Sequence, residues 1–326
     1  MAQNAVALDA LRAAYSAKEK GNWEQALRLA RPVGDVGVDL IEWDRLRAGK
    51  GEFAATTAFL ARRPDWPGLP YLRKRSEITI EADAPPKDVI AFFEGHPPGT
   101  AHGSLRLAQA LTKQGQSKQA LAAAQWGWSS FSMDAALEQE FQDSFGTALA
   151  AMHVARLNLL LWQGATSSVQ RMLPRVNSAQ ASLASARLAL QNNENGVTRL
   201  LANIPQSLKS DPGLAFDRFQ WRLGRKQTQG AIEMILAQST SAITLGRPEK
   251  WAGARMSLAR DLLWDEDYQR AYDVAANHHL DLDDDYAALE WLAGFIALRK
   301  LKKSQLALSH FKRHESAVGS EISLGR

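Results

Sequence analysis

The stretch that decides the fold is LAQALTKQGQSKQALAAA, from Leu107 to Ala124. A run rich in Ala and Leu meets a short polar turn, and a second run rich in Ala follows it. Both residues are strong helix formers, and a glycine at the turn can adopt the left-handed conformation that ends a helix. The stretch therefore predicts two helices joined by a tight turn at Gly115.

The same pattern recurs along the chain. It reads AYSAKEKGNWEQALRLA at Ala14–Ala30 and AGFIALRKLKKSQLALSHF at Ala293–Phe311. Weaker copies are LNLLLWQGATSSVQRML, WRLGRKQTQGAIEMIL and ARDLLWDEDYQRAYDVA. A lone hairpin cannot bury its apolar stripe, whereas stacked hairpins bury it against their neighbours. We therefore predict an all-α fold, a curved superhelix of stacked helical hairpins similar to tetratricopeptide repeats, running over residues 1–326 as one array.

The turns between helices carry their own signals. Glycines are predicted to end the first helix of a hairpin at Gly21, Gly115 and Gly164. Proline-bearing turns are predicted to separate the hairpins, and they lie at residues 64–70, 85–86, 97–98, 174, 205, 212 and 248.

The corner FLARRPDWPGLPYLRKR, Phe59–Arg75, is the most unusual turn. Prolines there stop a helix that ends at Phe59–Arg63, and Trp66 offers a large apolar body to fix the corner. The next helix is predicted to begin at Leu72, which would put a basic cluster on its first turns. The cluster consists of Arg73, Lys74 and Arg75, and we expect it to pair with Asp65 or Glu77.

Composition excludes several classes of protein. The chain has 326 residues, a net charge of +4 and no cysteine, so disulfide frameworks and thiolate metal sites are ruled out. The most apolar candidate, residues 145–162, contains His153 and Arg156, so no membrane span is expected. The first residues lack the basic and apolar regions of a signal peptide. The arginine-rich corner, which also includes Arg62 and Arg63, lacks the interleaved aromatics of a nucleic-acid surface, so no nucleic-acid partner is expected.

Several stretches resemble, in order, the N-terminal superhelical region of bacterial soluble lytic murein transglycosylases. They are residues 41–77 (IEWDRLRAGKGEFAATTAFLARRPDWPGLPYLRKRSE), 89–111 (VIAFFEGHPPGTAHGSLRLAQAL), 211–223 (DPGLAFDRFQWRL), 239–255 (STSAITLGRPEKWAGAR), 275–301 (AANHHLDLDDDYAALEWLAGFIALRKL) and 322–326 (ISLGR). The resemblance covers the chain from about Asp39 to Arg326.

This resemblance implies a periplasmic protein that acts on peptidoglycan glycan strands. In the family, a separate lysozyme-like domain at the C-terminus carries one catalytic glutamate. It cleaves the bond between N-acetylmuramic acid and N-acetylglucosamine and leaves a 1,6-anhydro end. The segment expected after that glutamate is missing here, although Glu315–Ser316 occurs near the end of the chain. We therefore expect a non-catalytic scaffold for a catalytic domain in cis, with no catalytic residue, no cofactor and no metal in this chain. The alternative is a stand-alone scaffold that binds a protein or peptide.

Two other groups of residues allow a functional or a structural interpretation. His278 and His279 lie near four aspartates, which could suggest a metal site, but an EF-hand loop from Asp281 would need glycine where Tyr286 stands. The prediction is a polar loop with Asp284 or Asp285 capping the next helix. Ten tryptophans could stack on sugars or lock helices together, and packing is the favoured interpretation. The tryptophans considered for a glycan surface are Trp126, Trp128, Trp251, Trp264 and Trp291.

Overall fold

The computed structural model describes residues 2–318, with side chains described for residues 6–318. The described residues form helices and turns and contain no strand, which confirms the prediction of an all-α fold. They divide into two compact units, residues 1–159 and 160–326. The terminal ISLGR stretch lies outside the described residues.

The first unit contains helices α1 to α9 and most of α10. Their bounds are α1 Ala2–Glu19, α2 Trp23–Ala30, α3 Asp35–Arg47, α4 Phe53–Arg62, α5 Leu69–Ser76, α6 Pro86–Phe93, α7 Ala101–Lys113, α8 Ser117–Ser130, α9 Ala135–Phe145 and α10 His153–Gln163. The pair α7 and α8 forms the hairpin that the opening stretch predicts, and the two helices pack against each other.

The second unit begins within α10 and contains ten further helices. Their bounds are α11 Thr166–Met172, α12 Ser178–Gln191, α13 Val197–Ala202, α14 Pro212–Gly224, α15 Thr228–Gln238, α16 Ala242–Leu245, α17 Pro248–Trp264, α18 Tyr268–Ala276, α19 Asp284–Phe295 and α20 Ser304–Val318. A π-helical turn, Ile296–Lys300, follows α19. Three of the predicted boundary prolines stand at the first position of a helix, namely Pro86, Pro212 and Pro248.

One turn geometry is shared by six hairpins. In each, a residue with positive φ ends the first helix, and the residue five positions later is buried in the second helix. The positive-φ residues are Gly21, Gly115, Gly164, Lys226, Glu266 and Lys302. The buried residues are Ala26, Ala120, Val169, Ala231, Ala271 and Ala307. The predicted glycine turns are therefore confirmed, and the later hairpins keep the same turn without glycine.

Hydrogen bonds explain why this turn recurs. After Gly115, the backbone N–H of Gln116 donates to the carbonyl of Leu111 at 2.9 Å, and after Lys226 the N–H of Gln227 donates to that of Arg222 at 2.9 Å. These bonds satisfy carbonyls that a helix end would otherwise leave unpaired. The turn thus fixes the start of the second helix and places a small residue where the two helices meet.

The corner at Phe59–Arg75 agrees with its prediction only in part. Helix α4 ends at Arg62, and the Trp66 ring packs edge-on against Phe59 with their centroids 5.8 Å apart. The next helix, however, begins at Leu69 rather than Leu72, because Pro70 is accommodated in the first turn. The basic cluster therefore lies in the last turn of α5, where positive charge stabilises the helix end, so the prediction of a basic first turn was wrong.

One helical stretch, Ala135–Gln163, is long and apolar enough to cross a membrane by length and composition, which is weak evidence on its own. A 3-10 segment, Gly146–Met152, interrupts it between α9 and α10. Arg156 within it is fully buried and donates to Glu138 at 3.1 Å. The expectation of no membrane span stays a prediction.

Candidate functional site

The most developed concave feature of the second unit is a groove of about 470 Å³. It lies beside α12 and α14, next to the last residues of α10 and the turn that follows them. We call it the α12–α14 groove. The residues that line it are Leu161, Trp162, Gln163, Gly164, Leu190, Gln191, Asn193, Phe216, Asp217, Gln220, Trp221 and Gly224. Its volume falls within the range of small-ligand pockets, roughly 300–1,000 Å³.

A buried ion pair forms the base of the groove. The carboxylate of Asp217 accepts a hydrogen bond from Arg187 Nε at 2.6 Å and another from Gln191 Nε2 at 2.9 Å. Asp217 and Arg187 are only 4% and 1% exposed, respectively, so water screens their interaction little. Burial raises the pKa of Asp217 above its ordinary value, and the hydrogen bonds from Arg187 and Gln191 oppose that rise.

The ion pair follows from the local sequence of two helices. Arg187 and Gln191 are one helical turn apart on α12, so both reach the same side of α14. Gly213 in the first turn of α14 leaves the space that the guanidinium occupies, since a Cβ there would lie 2.1 Å from Arg187 Nη1. Asp211, the N-cap of α14, lies 3.5 Å from the same nitrogen.

Aromatic side chains form the apolar part of the lining. Trp162 is 8% exposed, and its ring lies 5.3 Å from that of Phe216. Phe216 and Trp221 are half-buried, and the Arg225 guanidinium lies 4.4 Å from the Trp221 ring. Two side-chain atoms in the lining, Gln191 Oε1 and Trp221 Nε1, are buried without a hydrogen-bond partner. The groove therefore offers aromatic surface, whereas these two polar atoms are covered by the protein itself.

The groove has one paired charge in its lining and one guanidinium beside it, that of Arg225, which donates to Asn193 Oδ1 at 3.0 Å. Among its lining residues, Asp217 is the one ionisable group, and Arg187 neutralises it. Within the described residues there is no group of three or more histidines, cysteines or carboxylates that could hold a metal ion.

The loop around His278 and the aspartates has a structural role. Asp283 caps α19 by accepting from the N–H of Tyr286 at 2.7 Å, so the prediction of Asp284 or Asp285 as the cap was wrong by one or two residues. His278 is buried and its Nε2 lies 3.2 Å from Glu290. His279 has φ of 54° and its ring contacts the Ser239 carbonyl.

Glu290 is the centre of a buried polar network that the sequence did not suggest. His278 Nε2, His310 Nδ1 and Arg313 Nε lie 3.2, 2.6 and 2.9 Å from its carboxylate oxygens. Burial alone would raise the pKa of Glu290, but these three partners together hold it well below its ordinary value of 4.5. Tyr272 extends the network through a 2.9 Å contact with His310. The network joins α18, α19 and α20.

The tryptophans considered for a glycan surface divide into two sets. Trp128 and Trp251 are fully buried and pack in the cores of their units, as the packing interpretation expects. Trp126, Trp264 and Trp291 are 51%, 90% and 49% exposed. None of the five lines the α12–α14 groove, whose tryptophans are Trp162 and Trp221.

The arginine-rich corner makes internal ion pairs. Arg62 and Arg63 both bind Asp39, a 2%-exposed carboxylate on α3, at 2.7 and 2.5 Å. Arg73 donates to the carbonyl of Phe92 at 2.9 Å. Arginine side chains at this corner therefore link helices of the first unit to each other.

Glu77, the second acid expected to serve this corner, is buried and binds the start of α7. It accepts from the N–H of Gly99 at 2.7 Å and from the Thr100 hydroxyl. Lys74 is close enough to attract its charge, but burial dominates and raises the pKa of Glu77. The Glu77 carboxylate therefore mainly connects the end of α5 to the start of α7, instead of pairing with the basic cluster as expected. Glu315 is exposed on α20.

Comparison with known proteins does not assign this chain to a family. No family model matches this sequence, and the search of curated proteins found no significant similarity. The resemblance to the superhelical region of lytic transglycosylases stays a prediction.

Proposed function

We propose that this chain is the non-catalytic superhelical scaffold of a periplasmic soluble lytic murein transglycosylase. Its hairpins would stack into a curved array similar to tetratricopeptide repeats, and the array would hold a peptidoglycan glycan strand for a lysozyme-like catalytic domain. The proposal rests on the ordered resemblance from about Asp39 to Arg326. The recurrent hairpin turn supports the stacked array, because each turn repeats the same helix-to-helix contact.

The observation that carries the binding role is the α12–α14 groove. Half-buried aromatic rings at Phe216 and Trp221 offer apolar faces, and the exposed side chains of Asn193 and Gln220 offer amide groups. Carbohydrates pack their C–H faces on aromatic rings and direct their hydroxyl and amide groups to polar side chains. A groove with this lining is therefore compatible with a glycan.

Co-sedimentation with purified sacculi tests the proposal. We expect the 326-residue chain to be enriched in the pellet and to release no 1,6-anhydro muropeptides by mass spectrometry. No enrichment would contradict the binding role. Release of anhydro products would contradict the non-catalytic role.

The second candidate is a stand-alone scaffold that binds a protein or peptide. The observation that favours it is exposed apolar surface in the second unit, where Trp264 is 90% and Ile243 is 83% exposed. If this candidate is right, a Trp264→Ala variant will lose a defined protein partner and the wild-type chain will not sediment with sacculi. If the glycan-binding proposal is right, the same variant will sediment like the wild-type chain.

A further inference from the structure

The first unit contains a small pocket formed by α5, the end of α6 and the loop that follows α6. Its volume is about 220 Å³, below the roughly 300–1,000 Å³ of most ligand pockets, so it has room only for a small molecule. The residues that line it are Pro70, Arg73, Lys74, Glu77, Phe92, Phe93, His96, Pro97 and Gly99, and we call it the Arg73 pocket. None of them lines the α12–α14 groove, so a ligand of this pocket is independent of the proposed function.

Arg73 carries a positive charge that no carboxylate neutralises. Its Nη1 donates to the Phe92 carbonyl at 2.9 Å, but within the described residues no carboxylate oxygen lies within 4.0 Å of its guanidinium. Arg106 of the same unit, by contrast, pairs with Glu140. Burial lowers the pKa of Arg73, and no neighbouring acid opposes this effect. A bound anion would supply the missing partner.

Two nitrogens of Arg73 are available to such an anion. Nε and Nη2 make no hydrogen bond within the described part of the chain, and they are not among the polar atoms that the protein covers completely without pairing them. Because Arg73 is half-buried and lines the pocket, solvent reaches both atoms. The planar fork that Nε and Nη2 form matches the two oxygens of a carboxylate.

The other charged groups of the lining leave the pocket positive. Lys74 is exposed and adds a second positive charge, and exposed His96 adds a ring N–H. Glu77 is only 3% exposed, and its oxygens accept from the backbone N–H of Gly99 and the hydroxyl of Thr100. Its negative charge is therefore held at the first turn of α7, where the helix stabilises it.

Arg73 also borders a second pocket of the same unit, of about 450 Å³. Asp88 lines that pocket and is exposed, yet it makes no ion pair with Arg73. Its carboxylate would repel an anion there. An anion is therefore better accommodated in the Arg73 pocket.

The rest of the lining is apolar. The rings of Pro70 and Pro97 are exposed, and the rings of Phe92 and Phe93 lie beside them with their centroids 4.9 Å apart. An apolar group gains free energy by covering such surface, whereas a bare oxyanion does not. We propose that the Arg73 pocket binds a small carboxylic acid with an apolar body. The carboxylate lies on the Arg73 guanidinium, and the apolar body packs against the two prolines.

The test compares two probes that differ in charge and hardly in shape. They are 4-fluorophenylpropionate and its primary amide, each titrated with the 326-residue chain while fluorine NMR line widths report the affinity. We expect the acid to bind about tenfold or more tightly than the amide, because only the acid forms charge-assisted hydrogen bonds. Equal affinities, or binding of neither probe, would overturn the inference.

Competition with unlabelled anions separates the charge from the apolar body. Phenylpropionate should displace the fluorinated acid at a concentration about tenfold or more below that of acetate or inorganic phosphate, because these two anions lack the apolar body. Equal displacement by all three anions would overturn the assignment to an apolar acid.

A matched pair of variants on α5 locates the binding. Arg73→Gln removes the guanidinium from the pocket, whereas Arg75→Gln makes the same change at an exposed position that does not line it. We expect the first to weaken the acid about tenfold and to leave the amide unchanged, and the second to change neither. An unchanged affinity for the acid in Arg73→Gln, with its circular dichroism intact, would overturn the inference.

A second measurement does not depend on the folding of a variant. In the wild-type chain labelled with nitrogen-15 arginine, the Nε–Hε signal of Arg73 should move when the acid is added and stay in place when the amide is added. The signal of Arg75 should stay in place with both probes. A stationary Arg73 signal at saturating acid would overturn the inference.

Discussion

The buried pair of Arg187 and Asp217 gives the sharpest test of how the second unit is held together. Asp217→Asn keeps the size of the side chain and removes its charge, which leaves a 1%-exposed guanidinium facing a neutral amide. Breaking a buried ion pair by removing one partner costs about 3–5 kcal/mol. Because Asp211 remains 3.5 Å from Arg187, we expect the lower end, about 3 kcal/mol.

Urea unfolding provides the assay, with hydrogen exchange of α12 and α14 amides as a local probe. Asp261→Asn is the matched control, since it makes the same chemical change at an exposed position of the same unit and should shift the unfolding free energy by less than about 0.5 kcal/mol. The double variant Arg187→Met, Asp217→Leu should recover most of the loss, because it leaves no buried charge. The reasoning is refuted if Asp217→Asn costs less than about 1 kcal/mol, or if the double variant is less stable than the single one.

Three further predictions concern the turns, the buried glutamate and the corner. Gly115→Ala should destabilise the chain by about 1 kcal/mol, because the φ angle of Gly115 is +73°. Lys226→Gly should be neutral or stabilising, because Lys226 already has a φ of 59°. Urea unfolding midpoints will show whether the two variants change stability in opposite directions. The wild-type chain should be more stable than a Glu290→Gln variant, and this difference should be full above pH 4.5. It should decline as the pH falls further, because the pKa of Glu290 is lowered in the folded state. Unfolding at pH 3, 4, 5 and 7 measures the difference, and a constant value would contradict the prediction. Trp66→Ala should lower the free energy of unfolding by about 2 kcal/mol and speed hydrogen exchange in α4. Unchanged exchange would mean that the contact between Trp66 and Phe59 does not stabilise the corner.

The hairpins could be predicted from the sequence because their determinants are local. A glycine with positive φ, a helix former on each side and a small residue after the turn all lie within a few positions of one another. The later turns at Lys226 and Glu266 lack glycine, and their hairpins were recognised only as weaker copies of the pattern. The start of α5 was misplaced because Pro70 was read as a helix stop although proline also fits the first turn.

The groove could not be predicted, because its residues come together only through packing. Arg187 and Gln191 are separated from Asp217 by a turn of the chain and a short helix, and nothing in the sequence marks them as neighbours. The one available signal was Gly213, a glycine in the first turn of a helix, where only close approach by another group requires it. The partner of Arg62 and Arg63 was missed for the same reason, since Asp39 lies on the preceding helix, α3.

The lining of the groove leads to a last prediction, on how binding to sacculi depends on salt. The chain carries a net charge of +4, and anionic wall polymers would attract it through exposed arginines and lysines at any face. Such attraction is screened by salt, because the Debye length falls from about 10 Å at 0.1 M to about 3 Å at 1 M. Binding in the groove should resist this change, since Arg187 already neutralises Asp217 and the contacts there are aromatic and amide contacts. We therefore expect sedimentation with sacculi to persist at 0.5 M salt in the wild-type chain and to fall in Trp221→Ala, which removes the aromatic face from the groove. Loss of sedimentation at high salt in both proteins would mean that surface charge, and not the groove, brings the chain to the wall.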